Sequence, residues 1–168
     1  MEATALLTKQ HRQVEKLFRK LEGRSASAEL VIELANELAA HMTIEQELLY
    51  PLARTVDQDT VLESYEEHAL AEMALKRLLA TELDDEAFPA RVTALKELIM
   101  HHVKEEEEEL FPKLEKKLGD ERLRAMGKQM KARFDEVVDA GYEAAVPRGF
   151  AKTSADMSKR RRSSAHAA

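Results

Sequence analysis

The sequence predicts an all-α protein: an up-down-up-down four-helix bundle with a short fifth helix and a disordered C-terminal tail. Three observations predict it. The 168-residue chain is rich in Ala, Leu, Glu, Lys and Arg and poor in aromatic and β-branched residues. Apolar residues recur at steps of three and four along successive segments, which marks one face of a helix. The links between the first four segments are short, and short links make sequential helices antiparallel neighbours. The length suffices for one domain with a sizeable core, placed at residues 1–146, with 147–168 as a basic tail.

The first helix runs from Thr4 to Glu22 with Leu7, His11, Val14, Phe18 and Leu21 on one face, and Gly23 stops it. Ser25 or Ser27 caps the second, whose face reads Leu30, Leu34, Leu38, His41, Glu45, Leu48 and Leu52. Pro51 is expected to kink that helix or tighten its last turns. Thr60 with Glu63 fits a capping box for the third, with Leu62, Tyr65, His68, Glu72, Leu75 and Leu79 on its face. Asp84 and Asp85 stand where the fourth helix needs a cap, and Pro89 suits its first turn. The face of the fourth is Val92, Leu95, Ile99, His102, Glu106, Leu110 and Leu114, and Gly119 ends it. A shorter amphipathic fifth helix near 120–138 carries Leu123, Met126, Met130, Phe134 and Val137. After Pro147 the chain turns small, polar and basic, so 148–168 reads as disordered.

Composition removes several function classes. There is no cysteine, which excludes disulfides, cysteine-held zinc, iron–sulfur clusters and thiol catalysis. Any metal must be held by His, carboxylates or Tyr. The N-terminus, Met-Glu-Ala-Thr-Ala, lacks the basic patch and apolar run of a signal peptide, so a cytoplasmic location is expected. No apolar run approaches the ~20 residues that span a bilayer. The formal charge is −6, but residues 148–168 hold six basic residues and one acid, leaving about −11 on the remainder. An acidic body is a poor general nucleic-acid binder. Neither a phosphate-binding loop nor a Ser-His-Asp arrangement is evident.

The chemistry lies in a repeat. One segment runs His41-Met-Thr-Ile-Glu45-Gln-Glu-Leu-Leu-Tyr50-Pro51, and another runs His102-Val-Lys-Glu-Glu106-Glu-Glu-Glu-Leu-Phe111-Pro112. Each places Glu four, Leu eight, an aromatic nine and Pro ten residues after His. The first and third helices add His11 with Glu15 and His68 with Glu72, so the two halves look like copies of one αα-hairpin. Residues four apart share a helix face about one turn apart, ~6 Å along it. A His and a Glu so placed can bind one ion, or the carboxylate can bridge to a second. Carboxylates buried without partners cost several kcal/mol and stay protonated, so His and Glu on the leucine face of four helices call for a cation between them. Phase selects His102 over His101 and Glu106 over Glu105, Glu107, Glu108 and Glu109. A lone His on an apolar face is usually a satisfied core residue, and one His-x-x-x-Glu is weak in so glutamate-rich a chain. Four in phase with the core, two of them inside an eleven-residue repeat, point to a metal site. Tyr50 is read as core packing, with metal ligation as the alternative.

These residues resemble the hemerythrin-like family, in its bacterial HHE cation-binding branch. The likeness is carried by Leu7 to Phe18, the two repeats, and Tyr65-Glu-Glu-His68, and it covers roughly residues 3–138. The resemblance implies that His11, His41, Glu45, His68, His102 and Glu106 hold two non-haem iron ions bridged by an oxide or hydroxide, with Glu45 and Glu106 as bridging carboxylates. Oxygen-carrying members have a second His one turn after the third-helix His, where this chain has Glu72. Glu72, and by symmetry Glu15, is therefore expected to occupy or border the metal positions and to favour the ferric state. The implied function is a di-iron protein that handles or senses dioxygen, nitric oxide, peroxide or iron, with a possible redox partner protein. A di-iron enzyme that decomposes peroxide or oxidises Fe(II) is the alternative, and a metal-free helical interaction module is the third.

Overall fold

The computed structural model describes residues 1–23 and 26–146; the readings of Ser25, Pro147 and the 148–168 tail lie outside them. Helices α1 (Ala3–Leu21), α2 (Ala28–Ile44), α4 (Gln58–Leu79) and α5 (Phe88–Glu105) form the bundle. A five-residue π-turn, Glu45–Leu49, joins α2 to α3 (Tyr50–Ala53), and a second, Glu106–Leu110, joins α5 to α6 (Phe111–Leu118). Helix α7 (Asp120–Ala140) packs on α1 and α2, and α8 (Tyr142–Ala145) follows it. Among the described residues there is no strand, and no helix is long and apolar enough to cross a membrane.

Contacts at opposite ends establish the antiparallel order. The Thr4 hydroxyl donates to Glu115 (2.8 Å), while at the other end of α1 Lys96 donates to Glu22 (2.8 Å). Likewise Lys113 meets Asp57 just before α4, and Arg91 donates to the Arg77 carbonyl near its end (3.2 Å).

Local signals are partly as the sequence predicts. Ser27 caps α2 by accepting from the Leu30 amide (3.3 Å). Pro89 lies in the first turn of α5, but neither Asp84 nor Asp85 caps it: the N-cap is Ala87 with no side-chain cap, and Asp85 only accepts from the Ala87 amide (2.8 Å). The Thr60–Glu63 capping box is not formed. Asp57 caps α4 instead, taking both the Thr60 amide (3.3 Å) and its hydroxyl (2.9 Å), so Thr60 already lies inside the helix. Leu62 is 41% exposed, because the buried stripe of α4 runs through Val61, Ser64, His68, Ala71, Leu75 and Leu78. The fifth helix lies where the sequence places it: α7 runs two residues past the expected 138 and, at 21 residues, is comparable in length to the bundle helices.

Pro51 does not tighten α2. The turn before it widens, and the Tyr50 amide reaches back five residues to the Glu45 carbonyl. Pro112 stands one residue after the same widening, where the Phe111 amide reaches the Glu106 carbonyl. Proline has no amide to donate, and its ring crowds the carbonyl four residues back, so an inserted residue relieves both. Across such a turn the orphaned acceptor is five residues before Pro51, and the Tyr65 hydroxyl donates to that carbonyl, of Gln46, at 3.4 Å. The inserted residue also moves the buried face. Leu49 and Ala53 are buried, rather than the Leu48 and Leu52 expected of a continuous α-helix.

The core is two apolar clusters separated by a polar layer. Val14, Phe18, Leu34, Leu38, Leu75 and Leu95 belong to one. Leu7, Ile44, Leu49, Leu110, Leu114 and Met130 belong to the other. Helix α7 approaches α1 through Gly127, where a Cβ would lie 2.4 Å from the Met1 carbonyl oxygen and 2.9 Å from the Ala3 amide nitrogen. Gly127→Ala is therefore expected to lower stability by about 1–3 kcal/mol, despite alanine's helix propensity. Urea denaturation measures this, and a gain would contradict the contact.

Candidate metal centre

Four imidazoles and two carboxylates fill the polar layer, all buried: His11 from α1, His41 from α2, His68 from α4, His102 from α5, and Glu45 and Glu106 from the first residues of the π-turns. All six residues that the sequence singles out thus converge. They form two overlapping groups whose candidate donor atoms lie within 4.8 Å of one another: His11, His41, Glu45 and Glu106, and Glu45, His68 and His102.

The imidazoles come in two pairs. Nε2 of His11 and His41 are 3.1 Å apart, and Nε2 of His68 and His102 are 3.0 Å apart. Glu45 Oε2 lies 3.2 Å from His41 and 3.3 Å from His68. Glu106 Oε2 lies 3.4 Å from His11 and 3.6 Å from His102. Each carboxylate therefore spans both pairs. Both Glu45 oxygens and Oε2 of Glu106 are buried without a hydrogen-bond partner. Orphaned carboxylate oxygens between paired imidazole lone pairs fit cations, and the mixed nitrogen and oxygen donors suit a transition metal such as iron.

Electrostatics reinforce the point. Burial, with the neighbouring imidazoles, holds His41 well below the usual range and His68 at about 3. Burial and the adjacent Glu106 push Glu45 well up. Burial also opposes ionisation of Glu106, but the imidazoles of His102, His11 and His41 outweigh it and hold that carboxyl low. Against burial, Glu106 and Glu67 keep His102 raised.

Tyr50 does more than pack. Its hydroxyl donates to Glu106 Oε1 (3.0 Å) and sits 3.1 Å from His68 Nε2. Burial and the nearby Glu106 and Glu45 raise it well above the usual phenol range. At the equivalent repeat position, Phe111 stacks on His11 with ring centroids 5.9 Å apart. A void of about 10 Å³ touches all four imidazoles and is otherwise apolar, with Val14, Leu38, Met42, Ile99 and Val103 on its walls.

Glu15 and Glu72 are not in the centre, contrary to expectation. Glu15 is 32% exposed and pairs with Arg19 and Arg12; Glu72 is 33% exposed and pairs with Lys76. Four residues carry the chain about 40° round a helix. On α1 and α4 the buried stripe lies to the other side of the histidine, through Val14 and Phe18 or Ala71 and Leu75, so the glutamate is carried to the rim. Glu72→Ala is expected to leave metal content and absorption spectrum unchanged, as elemental analysis and spectroscopy of the purified variant would show.

Four further side chains touch the imidazoles from outside and were not singled out from sequence. Glu107 meets His11 Nδ1 (2.8 Å), Gln10 meets His41 (2.9 Å), Gln46 meets His68 (3.0 Å) and Glu67 meets His102 (2.7 Å). Each adjoins a candidate ligand in sequence, and that adjacency is the signal that marks them. His101, as its phase predicts, faces outward and pairs with Glu105 (3.2 Å).

Residues 2–114 match the family model described as the hemerythrin HHE cation binding domain. A DNA nickase of Nostoc sp. (strain PCC 7120) is 29% identical over 101 residues, covering 60% of this chain and 29% of that protein; the chain spans less than a third of its relative. The crystal structure of a hemerythrin HHE cation binding domain-containing protein from Mycobacterium kansasii shares the fold, with a TM-score of 0.72 and 24% identity over 83% of this chain and 89% of that one.

Proposed function

The chain belongs to the hemerythrin HHE cation binding domain family, and from that premise we propose that its buried centre holds two non-haem iron ions and handles or senses a small oxidant or gas. His11 and His41 would hold one ion and His68 and His102 the other, with Glu45 and Glu106 each in reach of both pairs. The observation that carries this reading is the set of three orphaned carboxylate oxygens between two imidazole pairs. Iron supplies reversible redox chemistry and Lewis acidity. The protein's own groups do the rest. The four outer side chains hold each ring with Nε2 inward. The apolar clusters on both sides keep the centre dry. The void beside the imidazoles, at about 10 Å³, is too small for an organic substrate.

A second reading, a di-iron enzyme that decomposes peroxide or oxidises Fe(II), is favoured by one feature. The Tyr50 hydroxyl holds a proton within the centre, aimed at Glu106. One experiment separates the readings. Protein purified with iron is analysed for metal, and its absorption is followed on adding dioxygen, nitric oxide and peroxide. About two irons per chain with a ferric spectrum that responds to these ligands fits the first, and rapid oxygen evolution from peroxide the second. Absence of metal uptake would sink both and leave a helical interaction module.

A further inference from the structure

The four side chains behind the imidazoles are of two chemical kinds, and their arrangement follows the repeat. The residue before the first histidine of each hairpin reaches the second histidine of the same hairpin: Gln10 to His41, and Glu67 to His102. The residue after each bridging glutamate reaches the first histidine of the other hairpin: Gln46 to His68, and Glu107 to His11. The two halves keep the positions and differ in chemistry, amide in one and carboxylate in the other. Each imidazole pair therefore contains one carboxylate-backed and one amide-backed ring. Both carboxylate-backed rings face Glu106, and both amide-backed rings face Glu45.

A carboxylate that accepts an imidazole Nδ1–H draws on that proton and makes Nε2 the stronger donor; a neutral amide fixes the ring with much less of this effect. The Gln46 amide meets His68 through Nε2, and a half-turn presents its oxygen at the same place. We propose that Glu67 and Glu107 are positioning residues that set the reduction potential of the centre, one at each metal position, by favouring the oxidised ion. Gln10 and Gln46 orient their rings and leave the potential alone. Glu107 shares its other oxygen with Arg12, whose charge is permanent. The second contact of Glu67 is to His101, at 3.6 Å. Glu67 therefore exerts the larger effect.

This inference rests on the reading of the centre as an iron site, so iron per chain is counted first in every sample. With two ions bound, Glu67→Gln is expected to favour the reduced ion about tenfold, an upward shift of about 59 mV for one electron in spectroelectrochemical titration. Glu107→Gln shifts the potential the same way by less. Gln46→Glu, which places a carboxylate behind His68, lowers it. Gln46→Ala weakens binding of redox-inert zinc about tenfold without moving the potential. Unmoved potentials in Glu67→Gln and Gln46→Glu, with two ions bound, overturn the inference and leave the iron centre standing. Iron absent from the wild-type protein overturns the centre, and the inference with it. If Glu67→Gln alone loses its iron, the potential of Gln46→Glu decides.

Discussion

Replacing Glu45 by glutamine is expected to cut the metal content from about two ions per chain to one or none, and to make the metal-free protein more stable. Glu45 belongs to both donor groups and contacts an imidazole of each pair. Losing its negative charge therefore weakens both positions at once. In the metal-free protein the same carboxyl is a liability, since neither oxygen has a partner. Burial and Glu106 raise its pKa, so the folded state loses stability as pH rises above the ordinary carboxyl value of about 4.3. The glutamine amide can donate to the imidazole nitrogen that the oxygen now faces. A gain of about 1–3 kcal/mol follows for the metal-free form. Metal analysis and urea denaturation in chelator measure the two effects. A variant that keeps two ions, or is less stable than wild type when stripped, would refute the bridging role.

Removing the metal from the wild-type protein has the second large effect. At a free-ion concentration a thousand times its dissociation constant, one ion contributes about 4 kcal/mol, so chelation is expected to lower the melting temperature by about 10 °C or more. It also narrows the pH range of stability. Below pH ~6.5 the unfolded chain protonates its histidines while His41 and His68 stay neutral in the fold, so stability falls with pH. Glu45, with its raised pKa, works the other way over that interval, but one carboxyl offsets only one of the two histidines. Above pH ~6.5 the raised pKa of His102 reverses the sign, and stability falls as pH rises. The stripped protein therefore peaks near neutrality, whereas the iron-loaded protein, whose ligands are held deprotonated by the ions, keeps a broad plateau. Thermal melts from pH 5 to 9, with and without chelator, test this. Parallel profiles would show that the six residues do not bind metal.

Much of the centre is legible without coordinates because its residues are in phase with the core. His41 and His102 follow Leu34, Leu38, Leu95 and Ile99 at helical spacing, and the repeat independently singles out Glu45 and Glu106. The repeat also contains Leu49, at the same position as Leu110, although a continuous helical wheel selects Leu48. Wheel and repeat disagree there because the wheel assumes uniform turns and the π-turn is not one. Glu15 and Glu72 mislead for a related reason. The i,i+4 spacing says that they neighbour a histidine along the helix, but not on which side of it the core lies.

The family resemblance picked out six candidate ligands, and the sequence by itself determined the bundle, the two-hairpin repeat and the four His-x-x-x-Glu pairs. These depend on periodicity and spacing, which are properties of one chain segment at a time. Only the tertiary structure decided that Glu15 and Glu72 leave the site, that the Tyr50 hydroxyl enters it, and that Gln10, Gln46, Glu67 and Glu107 stand behind the four imidazoles. Those facts depend on the rotation of one helix about its axis relative to its neighbours. That rotation is set by packing across the bundle, and no single helix encodes it.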